Sequence, residues 1–379
     1  MSKKKILFLT RTLNYGGAER QLVSLAQGLH KNGLYVRVVV LYPEIPLAKE
    51  LFSSGVPVTI LNKRGRWDVI GFIWRLVRLV QCECPHIIYG FLPVPNLLTI
   101  ILKFFFRRTI MVWGIRASNL DMSFYDWLGR LIFKIQCIFS RFSNLIIVNS
   151  NAGFDYHLKH GFPKTKMVVI PNGIDTNRFK PNIKERERVR AAWGIKEHEK
   201  LIGLVARLDP MKDHITFVSA AAILAKERKD VKFVCIGSGP ETYKSKIKNI
   251  SRKLGLERKL VWEDSRIDIQ FIYNALDIAT SSSFGEGFSN VLGEAMACGT
   301  PCVGTDVGDS AWIIGKTGVV VPPKNPNALL EGWKILLTLP MQKLAHLSED
   351  ARRRIIENFS VSKMIQTTEQ VFTKCLSKK

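Results

Sequence analysis

The residues best suited to chemistry lie together between positions 284 and 301, in the run FGEGFSNVLGEAMACGTP. The run predicts a strand end, a glycine loop, a short helix and a Gly/Pro stop. Gly285 and Gly287 allow the loop backbone to approach a ligand closely, and Ser289 or Asn290 is placed to cap the helix. Because the N–H groups and the positive dipole end of a helix attract anions, the run predicts an anion-binding site at this helix start.

Two acidic residues, Glu286 and Glu294, flank that helix start. Glu286 precedes the helix in the loop, and Glu294 lies one turn into it, four residues after Asn290. Carboxylates repel phosphate but accept hydrogen bonds from hydroxyls, which a nucleoside diphosphate sugar carries on both sides of its diphosphate. Acidic residues near a helix start can also serve only to offset its dipole. The surrounding glycines favour the ligand-binding interpretation.

The chain resembles the family 4 glycosyltransferases, which have the GT-B fold, in four motifs that occur in order along nearly its whole length. The motifs are Gly16-Gly17-Ala18-Glu19-Arg20, Ile170-Pro171-Asn172-Gly173-Ile174-Asp175, Gly203-Leu204-Val205-Ala206-Arg207 followed by Lys212, and the Glu286-x7-Glu294 spacing. The resemblance implies a hexosyltransferase that uses a nucleotide sugar, retains the anomeric configuration and needs no obligatory metal. Uridine is the commoner donor base in this family, so a UDP-sugar is favoured over GDP-mannose.

The resemblance also implies the roles of individual residues. Arg207 and Lys212 would contact the donor diphosphate and, with Glu286, form the catalytic group. Cations at the end of a parallel strand suit that role, because open α/β sheets bind ligands there and cations stabilise a departing phosphate. Two solvated loop cations are the plain alternative. The donor-binding residues that the resemblance implies are Gly16, Gly17, Arg116, Asn172, Arg207, Lys212, Arg266, Glu286, Gly287, Phe288, Ser289, Asn290, Val291 and Glu294.

Arg116 stands where many members of the family carry a histidine near the reacting sugar. A guanidinium can donate hydrogen bonds to sugar or phosphate but cannot take a proton, so the acceptor-side base is unassigned. Gly16 and Gly17 follow the first strand and could approach the donor across the cleft, although a glycine pair is also an ordinary turn. Arg266 follows the strand-like run 259–263, where the donor base is expected.

Strand-like and helix-like runs alternate along the chain, which predicts two doubly wound, Rossmann-like parallel-sheet domains with a cleft between them. The predicted strands are Lys5–Leu9, Tyr35–Leu41, Val56–Leu61, His86–Tyr89, Thr109–Val112, Leu145–Val148 and Met167–Ile170, then Leu201–Val205, Lys232–Ile236, Lys259–Glu263, Asp277–Ser281, Pro301–Gly304 and Gly318–Val321. The predicted domains are an acceptor domain over 1–178, a donor domain over 179–358, and a helix over 359–379 that packs back on the first domain. We place the hinge at Pro171–Asp175 and the charged stretch Lys180–Arg190.

The chain is strongly basic, with 56 Lys and Arg against 32 Asp and Glu and a formal charge of +24. Such an excess predicts an anionic partner. The runs 103–108 and 131–142 mix aromatic residues with cations, a composition that suits an anionic bilayer surface; core helices with exposed cations are the alternative. We therefore expect a cytoplasmic enzyme, peripheral to the inner face of the cytoplasmic membrane, that glycosylates a saccharide or polyprenyl-linked saccharide in bacterial surface polysaccharide synthesis.

Two features argue against a membrane span and a metal centre. The longest apolar stretch, 97–106, is interrupted by Lys103 and is too short to cross a bilayer, and the apolar run after Lys5 is interpreted as a buried strand rather than a signal peptide. The seven cysteines are odd in number and lack zinc spacing, which favours reduced thiols.

Two other functions stay open at this stage. A sugar-nucleotide 2-epimerase of the same fold would need acid and base groups at the hexose ring, whereas the candidate side chains here are mostly arginine. A nucleic-acid-binding protein is suggested by the charge alone. No helix-turn-helix, zinc or RNA-platform motif accompanies that charge, so no nucleic acid partner is expected.

Overall fold

The computed structural model describes residues 3–63, 65, 68–116 and 126–377. The chain divides into two compact units: unit 1 comprises Met1–Gly173 and Val361–Lys379, and unit 2 comprises Ile174–Ser360. The described part of each unit is a parallel sheet covered by helices, which confirms the predicted fold class. The divisions lie between Gly173 and Ile174 and between Ser360 and Val361, whereas the sequence placed the domain limits at 178 and 358.

Within the described residues, unit 1 has a seven-stranded sheet in the order β3-β2-β1-β4-β5-β6-β7. The strands are β1 (Lys5–Thr10), β2 (Tyr35–Val40), β3 (Val58–Ile60), β4 (Ile87–Phe91), β5 (Ile110–Ile115), β6 (Leu145–Val148) and β7 (Met167–Val169). The helices are α1 (Gly17–Lys31), α2 (Ala48–Ser53), α3 (Ile70–Glu83), α4 (Pro93–Phe105), α5 (Trp127–Phe139) and α6 (Asn151–Lys159), with short 3₁₀ turns at Ser140–Phe142 and Lys164–Lys166. The strand order reverses between β1 and β4.

Unit 2 repeats this arrangement, with a six-stranded sheet in its described part, in the order β10-β9-β8-β11-β12-β13. The strands are β8 (Lys200–Val205), β9 (Val231–Ile236), β10 (Leu260–Glu263), β11 (Ile278–Ser281), β12 (Cys302–Thr305) and β13 (Val319–Val321). The helices are α7 (Ile183–Ala192), α8 (His214–Glu227), α9 (Glu241–Lys253), α10 (Ile269–Ala275), α11 (Asn290–Ala297), α12 (Ser310–Ile314), α13 (Pro326–Thr338) and α14 (Met341–Phe359), with a 3₁₀ turn at Pro210–Lys212. Here the order reverses between β8 and β11.

The central strands are apolar on both faces because each sheet lies between two layers of helices. In β1, Ile6 and Phe8 enter the core formed with α1, whereas Leu7 and Leu9 enter the opposite core, formed with α3. Alternating side chains of one strand thus serve two cores. Burial on both faces explains why the central strands appear in the sequence as continuous runs of Val, Ile and Leu.

The last helix, α15 (Val361–Ser377), packs on α1 within unit 1. A Cβ added to Gly28 of α1 would lie 2.0 Å from Cδ1 of Ile365, so a larger residue here would force the Ile365 side chain to move. The ring of Phe372 also meets Tyr89 edge-on, with the ring centroids 5.9 Å apart.

The charged stretch Lys180–Arg190 is not part of a linker, which corrects that part of the predicted hinge. Most of it forms α7, which belongs to unit 2. Arg186 and Arg190 both bind the carboxylate of Asp277, at 2.8 and 2.9 Å. Both guanidiniums also donate to the Ala275 carbonyl at the end of α10, at 3.2 Å. Arg186 and Arg190 therefore stabilise the segment that leads into β11. The sequence alone does not distinguish this role from that of a solvent-exposed charged stretch.

Candidate functional site

The two loops that carry most of the predicted residues of unit 2 leave neighbouring strands. β8 and β11 pair in parallel, so both loops emerge at the carboxyl edge of the sheet. From β8 the chain proceeds to β9 and β10 on one side and then returns to β11 on the other. Such a reversal opens a crevice beyond the strand ends, where open α/β sheets bind ligands.

The loop after β8 is built around a capped 3₁₀ turn. Asp209 accepts a hydrogen bond from the backbone N–H of Met211 at 2.9 Å. Asp213 adopts a left-handed conformation (φ 46°), and its carboxylate caps α8 by accepting from Thr216 N at 3.1 Å. The two aspartates thereby fix the backbone on both sides of Lys212.

The loop after β11 is joined to that turn by hydrogen bonds. The fully buried Ser282 donates from Oγ to the carbonyls of Lys212, at 2.9 Å, and Asp213, at 3.0 Å. The backbone N–H of Phe284 donates to the Met211 carbonyl at 3.0 Å. The position of Lys212 is therefore set by the loop of the neighbouring strand as well as by its own.

Lys212 and Glu286 form an ion pair between Nζ and Oε1. Their side chains are only 22% and 13% exposed, and Glu286 also accepts from Ser283 Oγ at 2.8 Å. The sequence predicted a phosphate-binding cation and a separate hydroxyl-binding carboxylate; the structure couples them. A lysine ammonium has three donors, so it can keep Glu286 and still donate to a phosphate oxygen.

Arg207 presents its guanidinium to solvent, with 73% of the side chain exposed. Its neighbour along the turn is Asp209, with Nη2 3.1 Å from Oδ2. An ion pair this exposed contributes little to stability. Arg207 is therefore able to exchange that carboxylate for an anionic ligand at small cost.

The start of α11 differs from the prediction in one respect. Ser289 occupies the N-cap position, but its side chain makes no capping hydrogen bond. Its Oγ is buried and has no hydrogen-bond partner among the described residues. Of the two residues predicted as possible caps, Ser289 therefore makes no cap through its side chain, and Asn290 is the first residue of the helix.

The residues around Ser289 contribute backbone rather than side chains to this edge. Phe288 is 6% exposed and packs on Phe359, with the ring centroids 5.6 Å apart, and Val291 also packs against the core. The Gly287 carbonyl accepts from Asp309 N at 2.9 Å. Contact of Phe288 with a ligand would therefore have to come from the main chain, whereas Val291 is only partly buried.

The side chain of Glu294 is held by a hydrogen bond from a buried phenol. Tyr273 donates from its hydroxyl to Oε2 of Glu294 at 2.9 Å. Burial, and then the neighbouring carboxylate, raise the pKa of Tyr273 well above its usual value, so the phenol remains a donor at physiological pH. This bond orients Glu294 on the first turns of α11.

Arg266 is engaged by an adjacent carboxylate. Its Nε and Nη2 donate to the two oxygens of Asp268 at 2.9 and 2.7 Å, a bidentate pair that raises the pKa of Arg266. The predicted contact of Arg266 with the donor base would require the guanidinium to leave this pair or to bind the base while keeping it.

The predicted residues of unit 1 lie at the carboxyl edge of the other sheet. Gly16 is the N-cap of α1, in extended conformation, and Gly17 is its first residue. Arg116 directly follows β5, donates to Asn172 Oδ1 at 3.0 Å and stacks over Phe91, its guanidinium carbon 4.3 Å from the ring centroid. Asn172 is 5% exposed, so its amide serves to hold Arg116.

Several residues that position the site were missed from the sequence. Besides Ser282 and Ser283, they are Gly308 and Lys324. A Cβ on Gly308 (φ +56°) would lie 2.4 Å from the Glu286 carbonyl, and Lys324 Nζ lies 4.4 Å from the ring centroid of Phe284. The available signal was the serine run 281–283 at a strand end, where hydroxyls bind loop backbone.

The described residues show neither a metal-binding cluster nor a membrane-spanning helix. Among the described residues, no three or more His, Cys, Asp or Glu side chains gather as a metal ion would require. In the same part of the chain, no helix combines the length and apolarity needed to cross a bilayer.

Two family models match the chain, one in each half. The model described as Glycosyltransferase Family 4 matches residues 15–178, and the model described as Glycosyl transferases group 1 matches residues 185–354. The first match covers Gly16, Arg116 and Asn172, and the second covers Arg207, Lys212 and the α11 loop.

Curated relatives and solved structures were also compared with the chain. It is 31% identical over 221 residues to the D-inositol 3-phosphate glycosyltransferase of Corynebacterium urealyticum, covering 54% of this chain and 50% of that protein. It is 28% identical over 213 residues to the lipopolysaccharide core biosynthesis mannosyltransferase LpsB of Rhizobium meliloti, covering 54% and 60%. These two matches therefore span about half the length of each relative.

A solved structure aligns over nearly the whole chain. The crystal structure of Anabaena Alr3699/HepE in complex with UDP matches with a TM-score of 0.86 at 22% identity, covering 98% of this chain and 100% of that one. At this identity the likeness shows the fold. The two family models together match most of the chain and show that it belongs to the family 4-like glycosyltransferases, and the two parallel sheets and this likeness show the GT-B fold.

Proposed function

We propose that the chain transfers a hexosyl group from a nucleotide sugar to a saccharide or lipid-linked saccharide, with retention of anomeric configuration. The observation that carries the proposal is the Lys212–Glu286 pair, held at the start of α11 on the reversal edge of the unit 2 sheet. It places a cation and a hydroxyl acceptor side by side at an anion-attracting helix start. A nucleoside diphosphate sugar carries the complementary groups next to each other: a diphosphate for the cation and the helix start, and sugar hydroxyls for the carboxylate.

The proposed donor is a UDP-sugar bound by unit 2. The diphosphate would take hydrogen bonds from Arg207, Lys212 and the first N–H groups of α11, while Glu286 and Glu294 accept from sugar and ribose hydroxyls. A uridine donor is supported by the UDP bound to the Anabaena protein, whose fold this chain shares. Because its contact with Asp209 is exposed, Arg207 can release that carboxylate and bind the phosphate when the donor arrives.

The proposed chemistry is departure of the nucleoside diphosphate and attack of the acceptor hydroxyl from the same face. Negative charge grows on the leaving diphosphate, and Arg207 and Lys212 are placed to stabilise it. Lys212 is fixed beforehand by Ser282, Asp213 and Glu286, so little reorganisation is needed as the charge develops. No protein nucleophile enters this scheme.

Unit 1 is proposed to bind the acceptor at an anionic membrane surface. A mostly aromatic set of exposed side chains, the α4–α5 patch, lies at the end of α4 and the end of α5. Its members are Phe104, Phe105, Ile138, Phe139 and Phe142, with 75%, 61%, 54%, 37% and 49% of each exposed. Lys103 connects the two ends by donating to the Phe142 carbonyl at 2.7 Å. Arg107 and Arg141 flank the patch, and aromatic side chains mixed with cations favour an anionic interface.

Donor use is tested by titrating the protein with UDP and by measuring UDP release from UDP-glucose, UDP-galactose, UDP-N-acetylglucosamine and GDP-mannose. We expect UDP to bind and to raise the melting temperature, because a ligand bound only by the folded state stabilises it. We expect release of UDP to accelerate when saccharide acceptors are added. Absence of UDP binding at millimolar concentration would refute the proposed donor.

Membrane association is tested by co-sedimentation with vesicles containing phosphatidylglycerol. Phe104→Ser should reduce binding, whereas Phe52→Ser removes an aromatic side chain that is 56% exposed on α2, outside the patch, and serves as the matched control. Equal binding of both variants and the unchanged protein would contradict the patch as the contact surface.

A further inference from the structure

Unit 1 contains a cavity of about 360 Å³ at the carboxyl ends of β1, β4 and β5. Arg11 directly follows β1, Leu92 directly follows β4, and Arg116 directly follows β5; all three line the cavity. Because β1 and β4 flank the reversal of the unit 1 sheet, the cavity lies where such sheets bind ligands. Its volume falls in the range of small-molecule sites.

The walls of the cavity are apolar. Leu92 and the Pro93-Val94-Pro95 start of α4 form one wall, and Ile132 and Phe133 of α5 form another. The two prolines carry no backbone N–H, so this helix start offers fewer donors than an ordinary one. Leu92 has φ 77°, a conformation that a leucine adopts rarely and at a cost, and such residues cluster at binding sites.

Two guanidiniums give the cavity a positive charge. Arg116 is fixed by Asn172 at 3.0 Å, by the Tyr89 hydroxyl at 3.4 Å and by stacking on Phe91. Arg11 is exposed and lies over the ring of Tyr42, its guanidinium carbon 5.5 Å from the centroid. Among the described residues, neither arginine forms a salt bridge with a carboxylate.

The neighbouring titratable groups do not offset this charge. Burial raises the pKa of Tyr89, so its phenol stays neutral beside Arg116. Burial lowers the pKa of His157, which lines the same cavity, to about 4, so the imidazole is neutral at physiological pH. His157 Nδ1 lies 2.7 Å from the Gly153 carbonyl and therefore carries the hydrogen of the neutral ring.

We infer that this cavity binds a phosphate or diphosphate group together with the apolar group attached to it, and that Arg11 and Arg116 hold the anion while Leu92, Ile132 and Phe133 cover the apolar part. The inference rests on the proposed function, for which it supplies the acceptor class: a phosphorylated amphiphile. Phosphate esters of lipids and of sugars share the anionic group. The apolar walls favour the lipid, and the titration below separates the two.

The test is isothermal titration of the full chain with three probes: geranyl diphosphate, inorganic pyrophosphate and glucose 1-phosphate. UDP is kept saturating, so that a diphosphate cannot register by filling the proposed donor site. We expect geranyl diphosphate to bind at least tenfold more tightly than either of the other probes, because only it places carbon against the apolar walls.

Two pairs of variants connect the binding to the cavity. Arg11→Ala should weaken geranyl diphosphate binding about tenfold or more, because a charge-assisted contact is lost; Lys49→Ala removes an exposed unit 1 cation on α2 and should change it less than twofold. Ile132→Trp fills the cavity and should abolish binding, whereas Leu131→Trp enlarges a side chain that is 43% exposed on the same helix and should not.

The outcomes separate this site from the proposed donor site. Equal effects of Arg11→Ala and Lys49→Ala, or full binding in Ile132→Trp, would overturn the cavity as the binding site. Equal affinity for the three probes would overturn the proposal that the ligand is a phosphorylated amphiphile. UDP binding is measured first in the unchanged protein and in every variant. Absence of UDP binding in the unchanged protein refutes the donor site alone, whereas absence of geranyl diphosphate binding in the unchanged protein, with UDP binding intact, refutes only the cavity.

Discussion

Substitution of Lys212 by alanine removes the counter-ion of Glu286, whose side chain is only 13% exposed. Removing one partner of a fully buried pair costs about 3–5 kcal/mol, whereas exposed pairs contribute about 0–1 kcal/mol. With 22% and 13% of the two side chains exposed, we expect Lys212→Ala to lower the free energy of unfolding by about 2–3 kcal/mol. The Ser283 hydroxyl softens the loss because it still donates to the isolated carboxylate.

Adding Glu286→Gln to Lys212→Ala should restore part of that stability, because glutamine carries no charge and keeps an acceptor for Ser283. We expect a recovery of about 1–2 kcal/mol, in the range of coupling energies between contacting residues. Lys244→Ala is the matched control: it breaks an ion pair with Asp264, whose side chain is 67% exposed, and should leave the unfolding midpoint nearly unchanged. Urea unfolding of the unchanged protein, Lys212→Ala, Glu286→Gln and the double variant gives the cycle.

Sugar transfer should not recover together with stability. Each of Lys212→Ala and Glu286→Gln is expected to lower the rate by about 10²–10³, the usual loss when one preorganised contact to developing charge is removed, and the double variant should remain as slow. Near-normal turnover in Lys212→Ala would refute its catalytic role. A double variant no more stable than Lys212→Ala would refute the energetic coupling worked out from the geometry.

The remaining predictions concern three side chains near this edge of unit 2. Arg207→Ala should weaken UDP binding and slow transfer about 10²-fold or more without changing the melting temperature, because the side chain is 73% exposed; Arg252→Ala, an exposed arginine on α9, is the control, and equal effects of the two would contradict the assignment. Ser289→Ala should leave stability unchanged, since its hydroxyl makes no cap; a loss of about 1 kcal/mol, the usual value of a serine cap, would show that it does. His214 is fully buried and its pKa is lowered by burial, and then by Lys212, from 6.5 to about 4. The folded state therefore binds fewer protons than the unfolded chain between these values, and stability is present above pH 6.5 and is lost as the pH falls towards 4, by up to about 3 kcal/mol. His214→Phe should remove its share of the fall in urea midpoint across that window, leaving the share of His157, whose pKa is also lowered to about 4; an unchanged pH profile would contradict the shift of His214.

The fold was predictable because its strands are buried on both faces. A run such as Leu145–Val148 is apolar and buried at every position, with no polar face, so each strand stands out between turn residues. Parallel topology then brings the loops after β8 and β11 to one edge, which made the proximity of Arg207, Lys212 and Glu286 predictable. The sequence pattern therefore located the candidate site as a region.

The pairing within that region was not predictable, because it depends on contacts between distant segments. No spacing rule indicates that Lys212 binds Glu286, or that Ser282 donates to the Lys212 carbonyl. Local rules also failed where tertiary packing competes with them: Ser289 has a capping residue's type and position, yet its hydroxyl is buried without a partner among the described residues. The charged stretch at 180–190 was mistaken for linker for the same reason, since Asp277 lies far from it along the chain.

The central claim is that a diphosphate binds at the start of α11, between Arg207 and Lys212. Hydrogen–deuterium exchange of the full chain with and without saturating UDP tests it most directly, because slowed exchange reports which backbone segments the ligand orders. We predict protection of residues 206–213 and 284–294 that disappears in Arg207→Ala. Binding of UDP with protection confined to other segments, or no protection anywhere in unit 2, would contradict the claim.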